Sequence, residues 1–544
     1  MPAPSAFRIK RNDNIGYPAA EEDRLFLQNC FVDSGDLAIL RDTHAPKRIL
    51  VGRTGAGKTA LLIRLADSER HVIGIDPASL SLAYLSNNVL LRFFESLGVN
   101  FDLFYKLLWR HVFAVELIKA RYNITSPESA HQTLVERFAA LFGSGEDKKQ
   151  AFKYLTDWGE SIWKDTEHRV KEITTTLETN LAANLTGSIP IATLAAGGSC
   201  TLTQEQKEEI IKRGQEVVDH IQVQHLNRII TLLADKVFAD PQNRYYLVID
   251  KLDEDWVEDS LRYKLLRALI ETVREFQSIQ NCKIIVALRQ DLIERVFRFA
   301  GDRGFQREKY QQLCLTLQWT VPQLVQILDK RVTQLVCHQY SGQSVSHTDL
   351  LPPQADKIAI TDYITERTLY RPRDIIHFFN CCLEQASGEA TVTSEQLKNA
   401  EVLYSRQRLQ YLADEWHSNL PFLFQFAVAF LRRRPRSFRL SDIDAKCVED
   451  TCLELATKFG NGNDPLASGA WSVAMGYCEP SDFLNTLILN FYKVGLIGLK
   501  LAPTDPVSWS FRTQLADVHI ATSADTLISM CPAFYRALET RLLQ

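Results

Sequence analysis

The chain has no excess of charge of one sign. Among its 544 residues, 62 lysines and arginines stand against 66 aspartates and glutamates, a formal net charge of −4. No global basic field therefore advertises nucleic acid. Eleven cysteines are present, two of them adjacent at Cys381-Cys382, but none forms a Cys-x-x-Cys pair. Neither a zinc site nor a disulfide framework is indicated, and free thiols in a reducing cytosol are the expectation. No run of 18 apolar residues occurs, which argues against a membrane-spanning helix. The opening Met1-Pro2-Ala3-Pro4-Ser5 starts no apolar signal region, so a cytoplasmic location is expected. Nuclease, protease and deaminase signatures are missing as well. What remains is ordinary globular composition, 46% apolar and 24% charged, with ample material for large cores. The length suggests about three or four domains.

Against this plain background, residues 52–59 read Gly-Arg-Thr-Gly-Ala-Gly-Lys-Thr. They form a complete Walker A loop in the right context. The apolar run Arg48-Ile49-Leu50-Val51 suits a buried strand before it, and Ala60 to Ala66 suits a helix after it. Gly52, Gly55 and Gly57 let the backbone curl until successive N–H groups of Arg53, Thr54, Ala56 and their neighbours point at phosphate. The helix N-terminus at Lys58-Thr59-Ala60 adds partial positive charge. Lys58 is expected to reach the β- and γ-phosphates of ATP, and Thr59 to offer a hydroxyl to Mg²⁺.

A second strand is expected at His71–Asp76, but the next buried one comes only at Tyr245-Tyr246-Leu247-Val248-Ile249-Asp250. About 190 residues separate Lys58 from Asp250, more than a compact core needs, so a large insertion at about 100–240 is expected. Most of it reads helical, over 103–121, 129–142, 148–178 and 205–238. Its stretch Leu181–Thr203 is weakly charged and rich in small residues, and reads either as a loop or as a partner-binding element. Trp109 and His111 in the insertion, and His377 further on, read as packing residues. Alternation then resumes: a helix over 257–278, a strand over 282–288, a helix from Asp291, a strand near 313–317 and a helix after Pro322. That order predicts an α/β fold built on a parallel sheet. The expected domains are a lead-in over 1–46, a core over 47–340, a helical lid over 341–405 with a polar linker around 341–356, and a C-terminal part over 406–544. In the last, a helix over Leu484–Phe491, a strand over Gly495–Lys500, a turn and a returning strand over Trp509–Arg512 predict a winged-helix-like region.

Leu247-Val248-Ile249-Asp250-Lys251-Leu252-Asp253-Glu254 is a Walker B run with extra acids. Asp250 at the strand end can hold Mg²⁺ through water, and Asp253 or Glu254 can orient or deprotonate an attacking water. A lysine at 251 cannot be a base at neutral pH, so Glu254 is the expected catalytic acid residue. Arg289 follows the 282–288 strand, where it either senses a γ-phosphate or pairs with Asp291 or Glu294. Arg371 and Arg373, in Tyr370-Arg371-Pro372-Arg373-Asp374, either close over nucleotide or sit solvated at a proline-started helix. The cluster Arg432-Arg433-Arg434-Pro435-Arg436 with Arg439 is the one cue for DNA, and a solvated or protein-binding face is its other reading.

Together the Walker A loop, the Asp-x-Leu-Asp-Glu form of Walker B, the strand-end arginine, the Arg-Pro-Arg lid motif and the C-terminal region resemble the AAA+/STAND side of the P-loop NTPases. They are similar to the KAP and origin-recognition-like groups, and to prokaryotic stand-alone ATPases found among anti-phage and signalling genes. STAND proteins usually carry a tiny residue where this chain has Lys251. The resemblance implies an additional strand between the Walker A and Walker B strands, ATP and Mg²⁺ as ligands, and nucleotide-driven self-assembly. It implies a homo-oligomeric ATPase switch in defence or signalling. Since no other catalytic signature is present, an effector is expected either within the insertion or as a protein partner in trans. The lack of a long apolar run predicts no membrane association. The competing expectation is a DNA-associated AAA+ initiator or loader that grips duplex through its winged region. A scaffold with little turnover fits the full acidic set less well, and a GTPase is disfavoured because no Asn-Lys-x-Asp motif is present.

Overall fold

The computed structural model describes residues 7–79, 101–122, 154, 220–254, 256–257, 259–299, 307–339, 345–462, 464–502, 504–512 and 522–541. The chain separates into two compact units. The core unit comprises Gly35–Arg53 and Lys58–Leu317; the second comprises Met1–Ser34, Thr54–Gly57 and Gln318–Gln544.

In the core unit five short apolar runs become strands: β1 Ile49–Gly52, β2 Val72–Ile75, β3 Tyr245–Ile249, β4 Cys282–Arg289 and β5 Cys314–Thr316. They pair in parallel in the order β2-β3-β4-β1-β5. Runs such as Ile284-Ile285-Val286-Ala287-Leu288 are apolar throughout because both faces of such a strand are covered. Strand β4 lies between the Walker A strand β1 and the Walker B strand β3, as the resemblance implied. This is the α/β P-loop NTPase fold with an additional strand. The register sets Gly52 beside Arg289 at the strand ends.

The helix Asp259–Glu275 buries Leu261, Leu265, Leu269 and Val273, the stripe its periodicity predicts. Helix Asp102–Tyr122 of the insertion packs on it, with the fully buried Trp109 donating its indole N–H to Leu265 O at 2.9 Å. His111 is buried with Nδ1 2.7 Å from the Tyr154 hydroxyl, so both are packing residues. Helix His220–Leu232 closes the described part of the insertion. The helices expected over 129–142 and 148–178 and the Leu181–Thr203 stretch lie outside the described residues, apart from Tyr154.

At the opposite edge of the sheet from the strand ends, two cations are sunk into main chain. Arg48 donates to Thr43 O and Cys282 O. Lys283 donates to Ile39 O and Asp42 O, each at 2.7 Å, closing the C-terminal end of helix Asp36–Arg41.

In the second unit the N-terminal segment is pinned by the buried pair Asp23–Arg331 at 2.5 Å. In the described part of the expected polar linker, helix His347–Leu350 starts with a Ser346/Asp349 capping box, and β6 Gln354–Ala355 pairs with β7 Ile358–Ala359. Helices Ile360–Arg367, Pro372–Gln385 and Ser394–Trp416 follow, the last running unbroken through residue 405. Next come helix Leu423–Leu431, β8 Ser437–Arg439, helices Ala445–Phe459, Pro465–Ala474 and Pro480–Val494, β9 Ile497–Lys500 and β10 Leu527–Met530. The antiparallel order β8-β10-β9 makes this region winged-helix-like, with one helix added. The returning strand is Leu527–Met530 and not Trp509–Arg512. Ser508 makes a single bridge to Leu499, and the Val507 and Trp509 side chains then lie across Gly498, where a Cβ would sit within 3 Å of each. Pairing there stops at that one bridge, and the longer ladder on β9 is made by Leu527–Met530. No described helix is long and apolar enough to cross a membrane.

Candidate functional site

Strand β1 delivers the chain to the glycine-rich loop, and the helix Lys58–Ser68 takes it away. Gly55 and Gly57 hold φ of +78° and +95°, the left-handed region that only glycine enters without strain. These are the kinks that a phosphate-cradling nest requires.

Within the core unit the two Walker motifs meet. Thr59 Oγ1 donates to Asp250 Oδ2 at 2.8 Å across 191 positions of sequence. The other Asp250 oxygen accepts the N–H of Lys251, which takes φ +61°. A lysine in that left-handed turn costs about 1–2 kcal/mol. Lys58 Nζ donates to Gly52 O and Arg53 O at 3.0 and 3.2 Å. Burial lowers the Lys58 ammonium below its ordinary pKa, while the carboxylates of Asp253 and Asp250 act in the opposite direction.

Arg289 is seated on Asp291 by two hydrogen bonds, at 2.9 and 3.1 Å, and lies 3.7 Å from Asp253. The site therefore joins Lys58, Thr59, Asp250, Asp253 and Arg289. Glu254 is exposed, and its contacts among the described residues run through its backbone. Asp291 is the acid that sequence reasoning named only as a salt-bridge partner, and it sets the pose of Arg289. Two cations, Lys58 and Arg289, face three carboxylates, Asp250, Asp253 and Asp291. Phosphate oxygens and a divalent cation are the groups such a set can exchange into.

The loop tip Thr54–Gly57 belongs to the second unit and has different company there. Arg371 Nη1 donates to Thr54 O at 2.6 Å, and the Arg373 N–H to Gly55 O at 3.4 Å. Trp319 Nε1 donates to Ala56 O at 2.7 Å. Arg371 is neither solvated nor an ordinary surface arginine. It is 3% exposed and sits 3.0 Å from Asp374 and 3.4 Å from Glu415, with Arg408 completing the buried network. Leu369 and Tyr370, at φ +49° and +53°, turn the chain sharply into it. The Arg373 side chain lies against Gly55 and donates from Nε to Pro18 O. Sequence reasoning missed Trp319. Its signal was position: it stands three residues past the end of β5, as Arg289 stands at the end of β4.

The Arg432–Arg439 cluster is engaged. Arg432 and Arg433 both pair with Glu539, and Arg439 with Asp525. Arg434 lies over Phe438, and Arg436 over Tyr535 at 4.5 Å. His377 packs among Tyr404 and Tyr411, as expected.

Residues 322–413 match the model of the FunZ-associated C-terminal helical domain. A Walker-type ATPase of Pyrococcus abyssi is 12% identical, covering 94% of this chain and 96% of its own, with a TM-score of 0.36. The ORC2 protein of Aeropyrum pernix, solved in ADPNP and ADP complexes, is 11% identical over 94% of each chain, with a TM-score of 0.32. No protein with a curated description matches. At these scores the fold assignment rests on the strand order and the loop, not on the likenesses.

Proposed function

We propose that the chain is a Mg²⁺-dependent ATPase that works as a nucleotide-driven switch or assembly subunit. The observation carrying this reading is the 2.8 Å bond from Thr59 to Asp250, which unites two motifs that are meaningless apart. Amides of the Gly52–Ala60 loop and Lys58 take the phosphates. Thr59 and Asp250 are hard oxygen donors and would hold Mg²⁺, which supplies charge neutralisation at the phosphates. Three carboxylates against two cations repel a bare nucleotide tetra-anion, so the donor set fits a nucleotide that arrives with its metal. Among the described residues no cluster of three or more His, Cys, Asp or Glu could hold a metal alone, which agrees with a site completed by phosphates. For orienting the attacking water, the contacts favour Asp253 over Glu254, because Asp253 faces Arg289 and acts most strongly on Lys58.

The family resemblance extends the proposal to homo-oligomeric action in anti-phage defence or signalling with an effector in trans. The DNA-loader reading ranks second: of the arginines that suggested it, Arg434 and Arg436 lie over Phe438 and Tyr535, and Arg432, Arg433 and Arg439 pair at the surface with Glu539 and Asp525. The test is Mg²⁺-dependent release of phosphate from ATP by the purified chain, with and without duplex DNA across a salt series. Turnover without DNA supports the leading reading. Strong stimulation by DNA that fades steeply with salt moves the loader reading to first place. Absence of both binding and turnover in a folded protein overturns the ATPase assignment.

A further inference from the structure

Three consecutive carbonyls of the loop tip, on Thr54, Gly55 and Ala56, are each taken by a donor from the second unit: Arg371 Nη1, the Arg373 N–H and Trp319 Nε1. A trans peptide is planar, with its N–H directed opposite to its C=O. Fixing these carbonyls therefore fixes the N–H groups of Gly55, Ala56 and Gly57 on the side away from the donors. The glycine dihedrals at 55 and 57 are those that let successive amides converge. A free glycine loop would have to spend binding energy on turning its amides inward; a loop gripped by its carbonyls is already turned.

We propose that Trp319 and Arg371, with the main chain at Arg373, are positioning residues that pre-organise the loop amides for phosphate. This rests on the nucleotide reading above. Arg371 suits the role because its charge is already balanced by Asp374 and Glu415, leaving it a fixed donor to backbone. Trp319 is uncharged, and its ring edge lies 3.6 Å from where a Cβ on Gly57 would stand. The competing role for Arg371 is direct contact with a terminal phosphate, for which its Nη2 has no other hydrogen-bond partner among the described residues.

ATP and ADP affinities, measured by calorimetry on the full chain, separate these roles. Trp319→Phe keeps the ring and deletes the N–H. It is expected to weaken ATP and ADP alike, about three- to tenfold for one hydrogen bond, with thermal unfolding unchanged. In steady state KM should rise while kcat holds. Arg371→Met should weaken both nucleotides further, and Arg371→Lys should recover part of the loss. Wild-type affinities in Trp319→Phe would overturn the proposal even if Arg371→Met fails to fold. Loss of ATP binding with ADP binding intact in Arg371→Met would overturn it for Arg371, by showing contact with the terminal phosphate. A folded wild type that binds neither nucleotide sinks the nucleotide reading itself, a result distinct from wild-type binding that Trp319→Phe leaves unchanged.

Discussion

The two edges of the parallel sheet use the same kind of residue for opposite purposes. At the starting edge, Arg48 and Lys283 are buried and donate to main-chain carbonyls of Thr43, Cys282, Ile39 and Asp42. At the finishing edge, Lys58 and Arg289 face the carboxylates of Asp250, Asp253 and Asp291. Carbonyls belong to the fold and cannot leave. Carboxylates can trade a cation for a metal and hand the cation to phosphate. Lys58 has both kinds of partner, donating to Gly52 O and Arg53 O while the carboxylates of Asp253 and Asp250 act on its charge, so what sets the finishing edge apart is the presence of the acids. Strand direction decides which is which, since ligands of parallel sheets gather beyond the C-terminal ends of the strands.

The comparison breaks most sharply at Lys58. Lys58→Ala should abolish nucleotide binding, because the charge facing the phosphates is deleted, and should lower thermal unfolding only modestly through the lost bonds to Gly52 O and Arg53 O. Tight ATP binding by the folded variant would falsify the P-loop assignment. Next in size is the water-orienting carboxylate. Asp253→Asn should keep ATP bound and slow hydrolysis by about 10²-fold or more, with Glu254→Gln closer to wild type. If single-turnover measurements reverse that order, the exposed Glu254 is the acting group and the contacts of Asp253 with Arg289 serve only to place the arginine. At the other edge the signature inverts. Arg48→Met leaves Thr43 O and Cys282 O without their donor and should destabilise the core unit by about 2 kcal/mol, while turnover per folded molecule is unchanged. A drop in kcat at unaltered stability would mean that the starting edge also acts on the site.

The finishing edge was legible in the sequence and the starting edge was not. Gly52–Thr59 and Asp250 announce themselves because phosphate chemistry demands particular residues at fixed spacing, and the apolar runs before them allow only a buried parallel strand. The same logic located Arg289, although its pairing with Asp291 was one of two open readings. Arg48 and Lys283 carry no such pattern. Their partners are carbonyls, and any residue supplies a carbonyl, so no letter in the sequence marks the contact. Trp319 was missed for the same reason, its partner being Ala56 O. Arg371 was singled out for nucleotide or solvent, but its contact with the loop backbone depends on Glu415 and Arg408 converging on it from a helix far along the chain, and only Asp374, three residues on, was a local cue. The returning strand of the winged region lies later than its letters suggest: Val507 and Trp509 are strand-like by type and lie over Gly498, but the ladder on β9 is made by Leu527–Met530.

The smallest effect sharpens the comparison through protons. Burial, with Arg48 nearby, pushes the Lys283 ammonium down to about 7 from its ordinary 10.5. A neutral amine still has two N–H groups, enough for both Ile39 O and Asp42 O, so deprotonation in the folded state breaks neither bond. The unfolded chain keeps lysine protonated up to its ordinary pKa. Between pH 7 and about 10 the unfolded state therefore holds the extra proton, and stability rises with pH; below 7 both states are protonated and the slope vanishes. One proton sets a ceiling of about 1.4 kcal/mol per pH unit. The measurement is denaturant unfolding of the wild type and Lys283→Met at pH 6 to 9. The difference between the two should be flat below pH 7 and tilt in favour of the wild type above it, by no more than about 1.4 kcal/mol per unit. ATP affinity measured on the same samples should show no inflection that Lys283→Met removes, because Lys283 sits at the opposite end of strand β4 from Arg289. A stability difference that is constant across the range would show that Lys283 stays charged when folded. Its two carbonyl bonds would then outweigh the cost of burying its charge.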